Sequence, residues 1–212
     1  MKVIRNVFNS YCVNSYLLIA DNNMGVLVDP ACSDVTEMNS LKKIIEGNNV
    51  SLSTVIATHT HADHVMGANL VLNEYPQAEF LMHKEAEPLY RMTNDYSMIM
   101  GLKKRELPNP TRYVSDDEVL HFSDIELKIL YTPGHAPGSI CLYSKADDML
   151  FSGDVLFLNS IGRTDLPGGS FEVLRQSIFE KLFTLPDNTT VFPGHGDSTN
   201  IEFEKNNNPF LT

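Results

Sequence analysis

The chain has 212 residues, 42% of them hydrophobic, enough to bury a sizeable core without disulfides or partner chains. A formal charge of −11 argues against sequence-independent binding to nucleic-acid phosphates, because Lys103-Lys104-Arg105 is the one basic cluster and reads as a solvated face. Residues 1–10 carry Lys2, Arg5, Asn6 and Asn9 where a signal peptide needs an apolar core, no run approaches membrane-spanning length, and Cys12, Cys32 and Cys141 are too scattered for a disulfide framework or a cysteine zinc site.

These exclusions leave the expectation of one cytoplasmic domain over 1–212, with a small-molecule substrate and neither membrane nor nucleic acid as partner. Apolar and β-branched residues predict strands over 2–8, 15–20 and 26–29, then a helix over 35–46. Residues 53–58 read as a buried strand that runs into His59-Thr60-His61-Ala62-Asp63-His64, and 65–75 reads as a helix. On a strand-to-helix turn, imidazoles two and five residues apart can converge with the Asp63 carboxylate between them. A lone histidine is more often a surface or satisfied core group, but three with an aspartate in six residues is metal-ligand spacing.

After a strand over 79–82, residues 91–110 carry Met92, Tyr96, Met98 and Met100 and end on Pro108 and Pro110. They read first as a packed irregular helix and second as a mobile lid over a substrate. Strands over 125–131, 140–144 and 149–151 flank His135, in Thr132-Pro133-Gly134-His135-Ala136-Pro137-Gly138-Ser139, and Asp154, in Ser152-Gly153-Asp154. A helix over 171–182 and a short strand at 191–192 lead to Gly194-His195-Gly196. His83 and His121 lack such context and read as surface or strand-end residues. Imidazoles and carboxylates without a thiolate suit divalent zinc first, with iron or manganese as alternatives. Were two such ions held side by side, they would lower the pKa of a shared water and polarise a carbonyl oxygen, the chemistry of hydrolysis without a covalent intermediate.

The block from Thr58 to His64 resembles the T-H-x-H-x-D-H signature of the metallo-β-lactamase superfamily, and the segments around His135, Asp154 and His195 resemble its later motifs. The resemblance implies an α/β fold, a four-layered αββα sandwich in a single domain, with the ligand loops along one sheet edge. The strand pattern alone permits other α/β folds. It also implies two metal ions, the first on His59, His61 and His135, the second on Asp63, His64 and His195, with Asp154 bridging. Asp29, ending the family's early strand, is either a carboxylate behind the metal centre or a turn residue before Pro30.

Within that family, Gly194-His195-Gly196, Thr199, Glu202 and Asn208-Pro209-Phe210-Leu211 resemble the C-terminal pattern of short glyoxalase II-like hydrolases. That resemblance implies hydrolysis of thioesters of the hydroxyacylglutathione type, with Asp63 and Asp154 as catalytic water orienters as well as ligands. Arg163 falls where full-length glyoxalase II enzymes carry a substrate-binding lysine. Its guanidinium would hold a substrate carboxylate or tie the loop to Asp165. Asp165 stands where those enzymes use a tyrosine to bind glutathione, which leaves a smaller or differently tagged thioester, a lactone or another ester open. The rival reading is a persulfide dioxygenase of the same superfamily, which resembles this chain in both the His-x-His-x-Asp-His block and the Gly-Arg-Thr-Asp loop and would bind one iron through His59, His135 and Asp154.

Overall fold

The computed structural model describes the whole chain, Met1–Thr212. Strands β1 (Lys2–Phe8), β2 (Val13–Ile19) and β3 (Met24–Val28) form an antiparallel meander, and helix α1 (Val35–Gly47) crosses to β4 (Ser51–Ile56), parallel to β3. Helices α2 (Ala62–Val65) and α3 (Ala68–Glu74) lead to β5 (Glu79–His83), and α4 (Glu87–Arg91) and α5 (Thr93–Ile99) to β6 (Arg112–Val114). These strands make a six-stranded sheet in chain order from β1 to β6.

The second half begins with β7 (Val119–Phe122), β8 (Ile125–Tyr131), β9 (Ile140–Ser144) and β10 (Met149–Gly153). A small hairpin, β11 (Leu156–Phe157) and β12 (Ser160–Ile161), and helix α6 (Phe171–Ser177), continued by a wider turn over Ile178–Leu182, lead to β13 (Thr190–Pro193), β14 (Thr199–Asn200) and α7 (Ile201–Asn207). The second six-stranded sheet runs β14-β13-β10-β9-β8-β7, with β13 parallel to β10.

Side-chain alternation explains the layering. In β2 all seven residues are buried, Leu17 on one face and Tyr16 and Leu18 on the other. Leu17 joins Leu27, Val55 and Phe80 against Leu41 and Ile45 of α1, whereas Leu18 joins Val26, Ile56 and Leu81 against Leu127, Ile129 and Leu142 of the second sheet. On that sheet's outer face, Leu130, Leu150 and Val191 pack on Leu174, Ile178 and Leu182. Strands buried on both sides require helices on both outer faces, which is the four-layered αββα sandwich of a single domain. No helix is long and apolar enough to cross a membrane.

Two expectations change in detail. The helix expected over 65–75 is interrupted at Met66 and Gly67, because the turn is pressed against the segment after β3. A Cβ on Gly67 would lie 2.5 Å from the Pro30 carbonyl oxygen, which accepts the Gly67 N–H at 2.8 Å. The short strands β6, β7, β11, β12 and β14 add to those expected, since two to four residues give too few alternations to read.

A buried carboxylate ties the C-terminus to the sheet. Glu204 accepts from Thr199 Oγ1 at 2.6 Å and Asn208 Nδ2 at 2.7 Å, and the Asn159 N–H reaches both of its oxygens at 3.2 Å. The similarity at Glu202 falls on a neighbour whose side chain lies outside this network. Glu204→Ala strands three donors and should cost about 2 kcal/mol, read as a lower urea midpoint at unchanged slope, with Glu204→Gln losing less.

Candidate metal centre

The ligand candidates sit where several strands end along one edge of the sandwich. His59 follows β4, His61 caps α2, and Asp63 and His64 lie within it. His135 occupies the loop between β8 and β9, Asp154 follows β10, and His195 follows β13. Three ligand-atom groups form, each with its atoms within 4.8 Å of one another: His59, His61 and His135; His59, His64 and Asp154; and Asp63, His64 and His195.

Contacts between the groups are short. His135 Nε2 lies 2.9 Å from His61 Nδ1, and His64 Nε2 lies 3.2 Å from His195 Nε2. Asp154 lies between the two halves, its carboxylate 3.7 Å from His135 Nε2, 3.4 Å from His64 Nε2 and 3.5 Å from His195 Nε2. Asp63 Oδ2 is 3.6 Å from His195 Nε2 and 3.9 Å from His64 Nε2.

Four imidazoles are aimed from behind through their other nitrogen. His64 Nδ1 lies 3.0 Å from Asp29 Oδ2, His135 Nδ1 2.8 Å from the Arg163 carbonyl oxygen, and His195 Nδ1 3.0 Å from the Tyr11 carbonyl oxygen. His59 Nδ1 lies 3.2 Å from Thr58 Oγ1, whose hydroxyl in turn donates to Asp29 Oδ2 at 2.8 Å. Asp29 thus supports two imidazoles, and its Oδ1 accepts the Thr58 N–H at 2.7 Å. Its own backbone is left-handed, at φ 55°, and the Ser15 hydroxyl donates to its carbonyl. Of its two sequence readings, this geometry matches the carboxylate behind the centre.

Electrostatics divides the cluster. Burial, reinforced by the neighbouring imidazoles, pushes His59 well below the ordinary range, and burial with His135 brings His61 to about 4. His135 falls too, through burial. Burial also opposes charge on His64, but Asp154 and Asp63 outweigh it and raise this imidazole strongly. Against the same opposition, contacts with Asp154 and Asp63 lift His195 to about 9. Burial would raise Asp154, yet the charge on His64 and the contact with His195 hold it well below the usual carboxylate range.

These residues fit a divalent metal. His59 Nε2 and Asp154 Oδ1 are buried without a hydrogen-bond partner, at the point where the other ligand atoms converge. Neutral imidazoles on one side and paired carboxylates on the other supply the donor set such a cation prefers. Close approach of the later loops depends on Gly194, where a Cβ would lie 2.2 Å from Asp154 Oδ1 and 2.7 Å from His64 Cε1.

A cleft of about 670 Å³ opens onto the cluster. His61, Asp63, His135, Asp154 and His195 line it with Tyr11, Leu89, Tyr96, Ile99, Met100, Phe157, Arg163 and Leu166. Of residues 91–110, Thr93–Ile99 form α5, with Thr93 and Ser97 buried and Met98 and Ile99 exposed. Nearby Tyr90 packs on Phe80 in the core, while Tyr96, Ile99 and Met100 face the cleft and Tyr11 Oη donates to the Met100 carbonyl at 2.9 Å. The Arg163 side chain forks onto Asp165, Nε to Oδ1 at 2.8 Å and Nη2 to Oδ2 at 2.7 Å. That contact draws the Asp165 carboxyl down to about 2. Tyr11 escaped the sequence reading, because a backbone carbonyl that fixes a ligand leaves no mark on residue type.

Replacing Asp29 with Ala should weaken metal binding about 10–100-fold with the fold retained, since it frees His64 and Thr58 together. Gly194→Ala should reduce metal content by displacing Asp154. Metal analysis beside circular dichroism checks both, and full metal content in either variant would contradict the geometry.

The family model of the metallo-β-lactamase superfamily matches residues 12–195. The chain is 36% identical over 199 residues to a probable metallo-hydrolase of Bacillus subtilis, covering 93% of this chain and 92% of that one. It is 34% identical over 200 residues to a hydroxyacylglutathione hydrolase of Haemophilus influenzae, again covering 93% and 92%. A protein whose crystal structure was solved in a di-iron-bound form superposes with a TM-score of 0.88 at 30% identity, over 99% of this chain and 100% of that one. The chain therefore belongs to the metallo-β-lactamase superfamily, as a metal-dependent hydrolase with a small-molecule substrate.

Proposed function

We propose that this site hydrolyses thioesters of the hydroxyacylglutathione type, with two divalent ions held by His59, His61 and His135 on one side, Asp63, His64 and His195 on the other, and Asp154 between them. The observation that carries the reading is the completeness of both halves. A mononuclear persulfide dioxygenase, bound through His59, His135 and Asp154, keeps the same His-x-His-x-Asp-His block, and what departs from it in this sequence is Gly196-Asp197 after His195, where that family carries Asp-Tyr. His64 and His195 are aimed from behind by Asp29 and the Tyr11 carbonyl. Similarity to the Haemophilus hydrolase over most of both chains supports the thioester class.

Bound divalent ions supply an acidified water and a Lewis acid for the acyl oxygen. The protein's own residues do the rest. No serine, threonine, cysteine or lysine lines the cleft, so the walls offer none of these as an attacking group. With the ions bound, Asp63 and Asp154 would serve both as ligands and as orienters of the attacking water. A departing thiolate needs no strong general acid, which agrees with a cleft whose nearby imidazoles are ligands. The apolar lining excludes bulk water from the reacting carbonyl.

Zinc-reconstituted protein should turn over S-D-lactoylglutathione, and His59→Ala should lose at least about a hundredfold in kcat with metal content reduced. Oxygen uptake by iron-loaded protein with glutathione persulfide, in the absence of thioester hydrolysis, would replace this reading with the dioxygenase.

A further inference from the structure

Arg163 is the one lysine or arginine among the residues that line the cleft, and Asp165 already holds it through both oxygens. The remaining walls are largely apolar. Leu89, Tyr96, Ile99 and Met100 come from α4, α5 and the residue after them, and Phe157 and Leu166 from β11 and the loop beyond β12. Glutathione carries two carboxylates. On these walls they meet no cation that is not already paired, in a chain whose net charge is −11.

From this we propose that Asp165 masks Arg163, and that the site recognises its thioester through the acyl group and the part next to sulfur, gaining little from carboxylates further along the thiol. The inference rests on the thioester reading for its substrate class, and on the Arg163–Asp165 fork for its specificity. An aspartate two residues from an arginine presents the same planar acceptor as a substrate carboxylate, at far higher effective concentration. A carboxylate arriving in solution must displace it. The pair is solvent-exposed, so the mask is worth a modest factor. The Arg163 carbonyl that accepts from His135 belongs to the backbone, so side-chain changes at 163 and 165 leave that support in place.

The test compares kcat/KM for S-D-lactoylglutathione with that for S-D-lactoyl-N-acetylcysteamine, which keeps the acyl group and the neighbouring amide but lacks both carboxylates. Native protein should handle the two within about threefold. Asp165→Asn should raise the glutathione-to-cysteamine ratio about fivefold, mainly through KM, and Arg163→Gln in the same protein should abolish the gain. Calorimetric titration with S-methylglutathione, which cannot be hydrolysed, should show Asp165→Asn binding tighter by a similar factor. A native preference above about tenfold for the glutathione ester that disappears in Arg163→Gln alone would overturn the proposal, because Arg163 would then be reading the substrate. An unchanged ratio and unchanged S-methylglutathione affinity in Asp165→Asn would overturn it too. If neither ester is hydrolysed, the thioester reading fails, and the titration still decides whether Asp165 masks Arg163.

Discussion

Five imidazoles, three of them buried, can gather with nitrogens facing one another because most of them spend their second nitrogen on a fixed acceptor. A free imidazole would turn a nitrogen toward the nearest carboxylate and dissolve the constellation into ordinary ion pairs. Asp29, the Thr58 hydroxyl and two backbone carbonyls hold His64, His59, His135 and His195 against that relaxation. Each unpartnered buried polar atom costs about 1–3 kcal/mol. Leaving His59 Nε2 and Asp154 Oδ1 without hydrogen bonds, in a web otherwise satisfied, is a destabilisation that a bound cation reverses.

The scaffold makes this support rigid. Asp29 sits just beyond β3 and Thr58 just beyond β4, neighbouring parallel strands, so the carboxylate and the turn it braces are locked by the sheet. The second sheet contributes Asp154 and His195 from β10 and β13, also parallel neighbours. Pairing two such edges brings ligands from four chain segments together without any one loop having to be long. The requirement appears as tight packing at Gly194, where a methyl group would occupy the space of Asp154 Oδ1.

Much of this was legible in residue order. Runs of apolar and β-branched residues located the long strands, and the block from His59 to His64 stood out by its density of ligand types. Asp29 stood between two readings in the sequence, and its contacts with Thr58 and His64 decide between them. Three kinds of feature were not legible. Helix continuity at Gly67 was lost to a backbone approach from Pro30, a tertiary contact that no local pattern encodes. The short edge strands were too brief to show a period. Support from the Tyr11 and Arg163 carbonyls is invisible, because every residue carries a carbonyl. For Arg163 the sequence left two partners open, and the fork onto Asp165 is the one the side chain makes here.

Those carbonyl contacts bear on how such a site can change its substrate. Tyr11 and Arg163 each present a side chain to the cleft while their backbones orient His195 and His135. Backbone acceptors survive substitution of the side chain above them. The surface that meets substrate can therefore be rewritten at positions 11 and 163, and at Tyr96, Ile99 and Met100, without removing the backbone acceptors that aim His135 and His195. A network that used side-chain acceptors throughout would lack that freedom. Asp29 and Thr58, the two side-chain supports, are buried behind the ligands and face no substrate, so the part of the support that substitution would break is also the part that specificity has no reason to touch.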